Sequence, residues 1–289
     1  MDIINCRSVR DEMLAEAKRY IKEIGKPLTL IIVQAGNNDA SNVYVRNKIK
    51  TCAEVGIEAK VIKGSENITA SELKQIVKHY DEDPNVTGII VQLPLPRHLD
   101  AEVQNILDCI SWYKDVDGLS TSSIGRLWAD MDCITPATPT GIMRLLPEDL
   151  SGRTVVVVNR SNLIGKPLVK LLLNRNATVN ICHSKTALLP THTVQGDIVI
   201  TGTGRPNMFN EYYASVTKNQ TWIDCGINRD ENNNLCGDVN INALRYRSFY
   251  KHSVTPVPGG VGILTTAQIP LNVIKAWNFQ NNGSEVVCT

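Results

Sequence analysis

Short apolar runs and amphipathic helical segments alternate along almost the whole chain, and this alternation restricts the fold more than any other feature of the sequence. The runs are brief and rich in β-branched residues, which favours strands over helices. Strands that alternate with helices imply a parallel sheet, so the sequence predicts an α/β fold. The predicted strands are 28–33, 57–62, 86–92, 154–158, 178–182, 197–201 and 221–225.

Local signals at the element ends fit this alternation. The helix predicted at 40–56 has Ser41 as its possible N-cap and Gly56 as its stop. Thr69 and Glu72 form a predicted capping box at the start of the next helix. Pro270 falls inside the last predicted helix and is expected to kink it.

The order of elements divides the chain into two α/β halves. The first half ends near residue 120, and a connector helix is predicted at about 139–147. The second half has the doubly wound pattern of a nucleotide-binding domain. The polar end of the chain, 278–289, is predicted to be loose.

The loop after the 154–158 strand departs from the usual dinucleotide fingerprint. It runs from Asn159 to Gly165 with one glycine, where G-x-G-x-x-G has three. The next strand ends at Ser184 and Lys185, where an NAD site places an acid. With Arg160, a hydroxyl and an ammonium suit a dianionic 2′-phosphate, so the sequence suggests NADP. The alternative is a plain doubly wound domain whose Arg and Lys are solvated.

The first half carries its own candidate residues. Tyr44 and Lys48 are four apart and share a helix face, and a lysine can act as a general acid or base. Gln92 ends a buried strand, where ligands bind in open α/β sheets. Asp117 lies in "KDVDG", and Gly259 lies in "PVPGGVG". Taken singly, these features are also compatible with a surface lysine and two ordinary turns.

Composition excludes several classes of function. Thirty basic and twenty-nine acidic side chains leave a formal charge of +1, which gives no global attraction for nucleic acid or membrane. No apolar run approaches a membrane span, and the N-terminus does not resemble a secretory signal. Eight cysteines without a C-x-x-C pair indicate reduced thiols in a cytoplasmic protein rather than a zinc or other metal site.

Taken together in order, the motifs closely resemble the bifunctional methylenetetrahydrofolate dehydrogenase/methenyltetrahydrofolate cyclohydrolase family. The resemblance covers nearly the whole chain. The motifs are Tyr44-x-x-x-Lys48, "GIIVQLPLP", "KDVDG", "TPATPTGI", "NRSNLIGKP", "ATVNICHSKT", "IDCGIN", "GDV" and "TPVPGGVG".

The resemblance implies an architecture. Residues 1–138 and 264–289 would form a folate-binding catalytic domain with a returning C-terminal helix, and 139–263 a Rossmann-like NADP-binding domain. A cleft would lie between the two domains. The enzyme would be a cytoplasmic homodimer of one-carbon metabolism that serves purine biosynthesis, with tetrahydrofolate derivatives as its small-molecule partners.

The resemblance also implies a role for each candidate residue. Lys48 would be the catalytic lysine, with Tyr44 and Gln92 positioning or tuning it. The substrate would contact Asp117, Tyr44, Gly259 and Gly260. The cofactor NADP would contact Asn159, Arg160, Ser161, Ser184 and Ile227. Hydride transfer from methylene- to methenyltetrahydrofolate would precede hydrolysis to 10-formyltetrahydrofolate.

The chain departs from the family pattern at two positions besides Pro270. Asn159 replaces the first glycine of the loop, and Ile263 replaces a proline after Gly262. Asn tolerates left-handed backbone, so the turn is expected to be tighter. A monofunctional relative, a non-catalytic NADP-binding paralogue and a two-domain dehydrogenase for another small acid remain as alternatives.

Overall fold

The computed structural model describes residues 1–215, 217–246 and 250–281. Cys288 and most of the tail that the sequence predicts to be loose lie outside these residues. The chain forms two compact units. The six-strand unit contains Met1–Asp11 and Thr138–Thr265, and the three-strand unit contains Glu12–Ala137 and the chain from Thr266. The first eleven residues therefore cluster with the second half of the chain, although the sequence assigns them to the first.

The three-strand unit is a parallel sheet with helices between its strands, as the alternation predicts. The strand order is β3-β2-β4. The strands are β2 (Thr29–Ala35), β3 (Glu58–Gly64) and β4 (Gly88–Val91). The helices are α2 (Asp39–Val55), α3 (Ala70–Glu82) and the part of α1 (Cys6–Ile24) from Glu12 onward. Ile31, Val33 and Ile89 from the strands pack with Leu73 and Val77 from α3 in the core.

Helix ends confirm most of the local predictions and correct one. Thr69 and Glu72 form both bonds of the capping box at α3, and Gly56 ends α2 in the left-handed conformation. The prediction of Ser41 as the N-cap of α2 is wrong. Asn38 is the N-cap, and its side chain accepts a hydrogen bond from the Ser41 N–H. Both residue types cap helices well, so sequence preference alone does not separate them.

After β4 the chain forms a short 3-10 helix (Arg97–Glu102), α4 (Val103–Leu107) and α5 (Thr121–Trp128). The last helix, α10 (Val261–Asn281), continues through Pro270. From its second half, Asn272 Nδ2 donates to Val116 O and Gln280 Nε2 donates to Thr87 O. Among the described helices, none is both long and apolar enough to cross a membrane.

The six-strand unit has a fully parallel six-stranded sheet with the order β1-β11-β8-β7-β5-β6. Its strands are β1 (Asp2–Ile3), β5 (Thr154–Val158), β6 (Thr178–Cys182), β7 (Ile198–Thr201), β8 (Thr221–Asp224) and β11 (Ser253–Val254). A separate antiparallel pair joins β9 (Asn228–Arg229) and β10 (Leu235–Cys236). The helices are α6 (Ala137–Met143), α7 (Gly165–Asn174), α8 (Leu189–Thr193) and α9 (Ile241–Tyr246).

The centre of this sheet confirms the predicted doubly wound pattern. Val155 and Val157 of β5 are completely buried, and they pack with Leu168 and Leu172 of α7. The connector helix α6 ends at Met143, earlier than predicted. The carboxyl ends of β6, β5 and β7 lie side by side, which brings three loops to one edge of the sheet.

Candidate functional site

An ion pair between Lys48 and Asp117 lies at the centre of the three-strand unit's candidate site. Lys48 Nζ is 3.3 Å from Asp117 Oδ2, and the two side chains are 9% and 21% exposed. The sequence names both residues but does not predict that they form a pair. Because each charge is largely removed from water, loss of one partner leaves the other poorly compensated.

Lys48 lies on the α2 face that also carries Ser41 and Tyr44. Spacings of three and four residues bring these side chains to one side of the helix. Burial raises the pKa of the Tyr44 phenol, so the hydroxyl keeps its proton and can donate. The Ser41 hydroxyl is buried and has no hydrogen-bond partner among the described residues. This face therefore offers a buried hydroxyl that the described residues leave unused.

The loop that carries Asp117 is fixed from two sides. Asp115, which is 1% exposed, accepts hydrogen bonds from Ser120 N and Ser123 Oγ at 2.8 Å each. Burial raises the pKa of the Asp115 carboxyl, and these hydrogen bonds oppose that rise. Gly118 follows with φ +64°, and a Cβ there would come within 2.7 Å of Ile134 O. The segment that carries Asp117 is thus held in place by its neighbours on both sides.

Gln92 follows β4 at the carboxyl end of the sheet, as predicted. Its N–H donates to Val33 O, which places it beside the end of β2. Its Nε2 donates to Leu93 O at 2.6 Å, and its buried Oε1 has no hydrogen-bond partner among the described residues. The described hydrogen bond of the side chain therefore goes to main chain rather than to Lys48. A free buried acceptor suits a donor-bearing ligand such as a pterin.

Gly259 and Gly260 belong to the six-strand unit. Gly259 has φ +92°, and a Cβ on Gly260 would come within 2.2 Å of Pro256 O. The segment therefore needs both glycines for its own backbone. Ile263 N donates to Gly260 O at 3.2 Å, a hydrogen bond that a proline at this position could not form.

The side chain of Asn159 organises the loop after β5. Its Oδ1 accepts hydrogen bonds from Ser161 N, Ser161 Oγ and Gly165 N, and its Nδ2 donates to Gly202 O at 2.5 Å. Asn159 does not adopt a left-handed backbone conformation, although asparagine would tolerate one at this position. A Cβ on Gly165 would come within 2.1 Å of Asn159 O, which explains the single glycine of the loop.

A pocket of about 230 Å³ opens at the edge where β6, β5 and β7 end. It is smaller than the roughly 300–1,000 Å³ of a site for a whole drug-sized ligand, so it fits only one end of a dinucleotide. Asn159, Arg160 and Ser184 line it, whereas Ser161 and Ile227 do not. The complete lining is Val158, Asn159, Arg160, His183, Ser184, Leu189, Gly202, Thr203, Arg205 and Met208.

The lining suits the adenosine 2′-phosphate end of NADP. Two arginines and two hydroxyl side chains face the pocket, and none of the described lining residues is acidic. Guanidinium groups bind phosphates with strong charge-assisted hydrogen bonds. Lys185, which the sequence groups with Ser184, is exposed and is not part of the lining.

Sequence reasoning missed Thr203 and Arg205 of this pocket, and also the acids behind it. Asp238 is fully buried and bonds the N–H groups of Thr203 and Arg205. Asp224 in turn accepts from the N–H groups of Asp238 and Val239. The available signal was "TGTGR" directly after a buried strand, since loops at that strand end face ligands.

Comparison with known proteins matches both parts of the chain to the same family. Residues 4–117 match the family model of the tetrahydrofolate dehydrogenase/cyclohydrolase catalytic domain, and residues 136–281 match that of the NAD(P)-binding domain. A relative from Listeria innocua named bifunctional protein FolD is 38% identical over 273 residues, which cover 93% of each chain.

Solved structures of similar proteins extend the comparison. The bifunctional 5,10-methylenetetrahydrofolate dehydrogenase/cyclohydrolase from Thermoplasma acidophilum has a TM-score of 0.88 and 32% identity, and the match covers 97% of this chain and 100% of that chain. The dehydrogenase-cyclohydrolase from Trypanosoma brucei has a TM-score of 0.87 and 29% identity, over 97% of this chain and 98% of that chain. The latter structure is complexed with NADP cofactor and inhibitor.

Proposed function

This chain belongs to the tetrahydrofolate dehydrogenase/cyclohydrolase family, and from that membership we propose its reaction. It oxidises 5,10-methylenetetrahydrofolate to 5,10-methenyltetrahydrofolate with NADP, and then hydrolyses the product to 10-formyltetrahydrofolate. The observation that carries the proposal is the Lys48–Asp117 ion pair, with Tyr44 one turn before Lys48 on the same helix.

Residues of the three-strand unit bind the folate in this proposal. The pterin edge presents N–H donors, and Asp117 and the free Oε1 of Gln92 accept from them. Tyr44 keeps its proton and orients the substrate by donation. Gly259 and Gly260 contribute backbone to substrate binding as a further part of the proposal.

The oxidation step needs orientation more than proton transfer. NADP supplies the acceptor of the hydride that leaves the methylene carbon. The chain contributes by holding the adenosine end of the cofactor with Arg160 and Ser184, while Asn159 and Ser161 shape the loop and Ile227 contacts the nicotinamide end.

The hydrolysis step needs proton transfer. Water attacks the methenyl carbon and loses one proton, which leaves a hydroxyl group on that carbon. The bond from this carbon to N5 then breaks as N5 takes up a proton, and the hydroxyl group loses its proton as the C=O bond of the formyl group forms. Lys48 is the group placed to move these protons, which makes it the general acid/base of the step. Asp117 holds the Lys48 side chain at 3.3 Å while it does so.

The proposal extends to the metabolic role, the compartment and the oligomeric state of the enzyme. Oxidoreductase and hydrolase activities on folates place the enzyme in one-carbon metabolism, and its formyl product suits purine biosynthesis. The described cysteines are free thiols, which suits the cytoplasm. We propose a homodimer by family resemblance, and we keep 1–138 with 264–289 and 139–263 as the functional domains.

A two-step assay on the purified chain tests the function. With methylenetetrahydrofolate and NADP, we expect reduced cofactor first and the formyl product after it, with little activity with NAD. Reduced cofactor without hydrolysis would identify a monofunctional dehydrogenase, and hydrolysis of supplied methenyltetrahydrofolate alone would identify a cyclohydrolase. If the chain bound NADP but showed neither activity, it would be a non-catalytic paralogue.

A further inference from the structure

Arg205 lines the same pocket as Arg160 but comes from the neighbouring loop. Arg160 follows β5 and Arg205 follows β7, and these two strands are direct neighbours in the sheet. Both side chains are exposed, and neither guanidinium has an ion-pair partner among the residues that the structure describes. The pocket therefore contains two unneutralised guanidinium groups, where the sequence indicates only one.

The backbone of Arg205 is fixed by a buried acid. Asp238 Oδ2 accepts from Thr203 N at 2.5 Å, and Asp238 Oδ1 accepts from Arg205 N at 3.2 Å and from Asn228 Nδ2 at 2.8 Å. A Cβ on Gly226 would come within 2.3 Å of Asp238 Oδ1, so the carboxylate is tightly enclosed. The loop carrying Arg205 is thus shaped before any ligand binds.

A preformed loop matters because ordering a loop on binding reduces affinity. The Asp238 carboxylate accepts from the N–H groups of the loop, and it is not part of the pocket lining, whereas Arg205 is.

We propose that Arg205 is a second specificity-determining residue for the adenosine 2′-phosphate of NADP. This inference rests on the proposed use of NADP. A dianionic phosphate has enough acceptor oxygens for two guanidinium groups, which approach it from the loops after β5 and β7. Asp238 is the positioning residue that holds the Arg205 loop.

The competing role for Arg205 is stacking on the adenine ring. A planar guanidinium can stack on an aromatic face. The two roles differ in one measurable respect. Stacking strengthens binding of NAD and NADP equally, whereas a phosphate contact strengthens only ligands that carry the 2′-phosphate.

Calorimetric titration of the full chain separates these roles. The probes are 2′,5′-ADP and 5′-AMP, which differ only in the 2′-phosphate, together with NADP and NAD. In Arg205→Ala we expect the dissociation constants of 2′,5′-ADP and NADP to rise about 10- to 100-fold. Those of 5′-AMP and NAD should stay within about threefold. The dissociation constants of 2′,5′-ADP and NADP for Arg205→Lys should lie between those of wild type and the alanine variant. Lysine keeps the positive charge but lacks the paired N–H donors of the guanidinium group.

Two further variants complete the design. Arg160→Ala should show the same pattern as Arg205→Ala. Arg153→Ala is the matched control, because Arg153 is an exposed arginine at the other end of β5. This variant should bind all four probes with wild-type affinity.

Equal losses for all four probes in Arg205→Ala, or no loss for any, would overturn this inference. If wild type itself did not prefer 2′,5′-ADP to 5′-AMP, the NADP assignment of the proposed function would fail as well. If wild type shows that preference, and Arg160→Ala removes it while Arg205→Ala keeps it, only the role of Arg205 fails.

Discussion

At the scale of single residues, Lys48 and Asp117 form a pair whose members have different proposed tasks. Lys48 moves protons, while Asp117 binds the pterin and holds the ammonium group. Substitutions at the two positions should therefore give different losses. The difference between these losses is more informative than either loss alone.

Lys48→Met keeps an unbranched side chain and removes the amine. We expect methenyl hydrolysis to fall at least about 100-fold, the scale of general acid–base catalysis, while dehydrogenase activity partly survives. Lys50→Met is the control, because Lys50 lies on the same helix with an exposed side chain. Separate assays of the two steps make the measurement. Normal hydrolysis in Lys48→Met would remove this lysine from the mechanism.

Asp117→Asn keeps the size of the side chain but replaces one carboxylate oxygen by an amide NH2 group. This donor would face the N–H donors of the pterin, with which it cannot form a hydrogen bond. The substitution also removes the charge that Lys48 Nζ contacts. We expect binding of a folate analogue and both activities to be lost, with NADP binding unchanged. Fluorescence titration of each ligand is the measurement, and Asp100→Asn on the surface is the control. Wild-type affinity for the analogue would make Asp117 a structural residue.

At the scale of elements, the loop from Asn159 to Gly165 takes its shape from side-chain hydrogen bonds. Asn159 Oδ1 occupies the Ser161 and Gly165 N–H groups, and such donors at a helix start commonly bind phosphates. The asparagine therefore stabilises the loop, and we expect it to compete with the diphosphate of the cofactor.

Asn159→Gly should change stability and affinity in opposite directions. Loss of the side-chain hydrogen bonds should lower the free energy of unfolding by about 1–3 kcal/mol. The released N–H donors should strengthen the binding of NADP and of NAD by the same factor, because both cofactors carry the diphosphate. Urea unfolding and cofactor titration are the measurements. A changed ratio of NADP to NAD affinity would show that Asn159 acts on the 2′-phosphate instead.

Elements that depend on local sequence pattern were predictable, whereas those that depend on distant pairing were not. Runs such as 154–158 and the Thr69–Glu72 capping box depend on local pattern, and both were predicted correctly. Strands β1 and β11 have two residues each, too few for any periodicity, so their pairing could not be predicted. The hydrogen bond from Asn159 Nδ2 depends on where Gly202 O lies, which is known only after β5 and β7 pair.

At the scale of the whole molecule, the sequence indicated the correct family and both α/β halves. It did not indicate the Lys48–Asp117 pair, because these residues lie 69 positions apart in the chain. It did not place Arg205 beside Arg160, because that requires the pairing of β5 with β7. The buried acids lie in the motifs "IDCGIN" and "GDV", but the sequence gave no sign of their burial or of their role. Asp224 and Asp238 lie 3% and 0% exposed behind the pocket, where only the three-dimensional packing explains them.

Burial, with a contribution from the nearby Asp238 charge, raises the pKa of Asp224 to about 6, although three N–H groups oppose the rise. Between about pH 4 and pH 6 the folded state keeps a proton that the unfolded state has lost, so stability falls as pH rises. A shift of about two pKa units corresponds to about 3 kcal/mol. Stability contributed by this proton is complete below about pH 4 and lost above about pH 6.

Asp224→Asn cannot titrate, so the comparison with wild type isolates this effect. From pH 4 to pH 7, the unfolding free energy of wild type should fall by about 3 kcal/mol relative to the variant. Urea unfolding across this range is the measurement, and Asp100→Asn should track wild type. A pH-independent difference would contradict the assignment. If the variant does not fold, NMR titration of the wild-type carboxyl groups gives the pKa directly.

In the proposed reaction, one enzyme passes a single carbon through oxidation and then hydrolysis. The most direct test of these two steps uses methylenetetrahydrofolate with two deuterium atoms on the methylene carbon, NADP and the purified chain. Mass spectrometry should find one deuterium on the reduced cofactor and the other in the formyl group of 10-formyltetrahydrofolate. Unlabelled reduced cofactor, or a label that stops in the methenyl compound, would contradict the account.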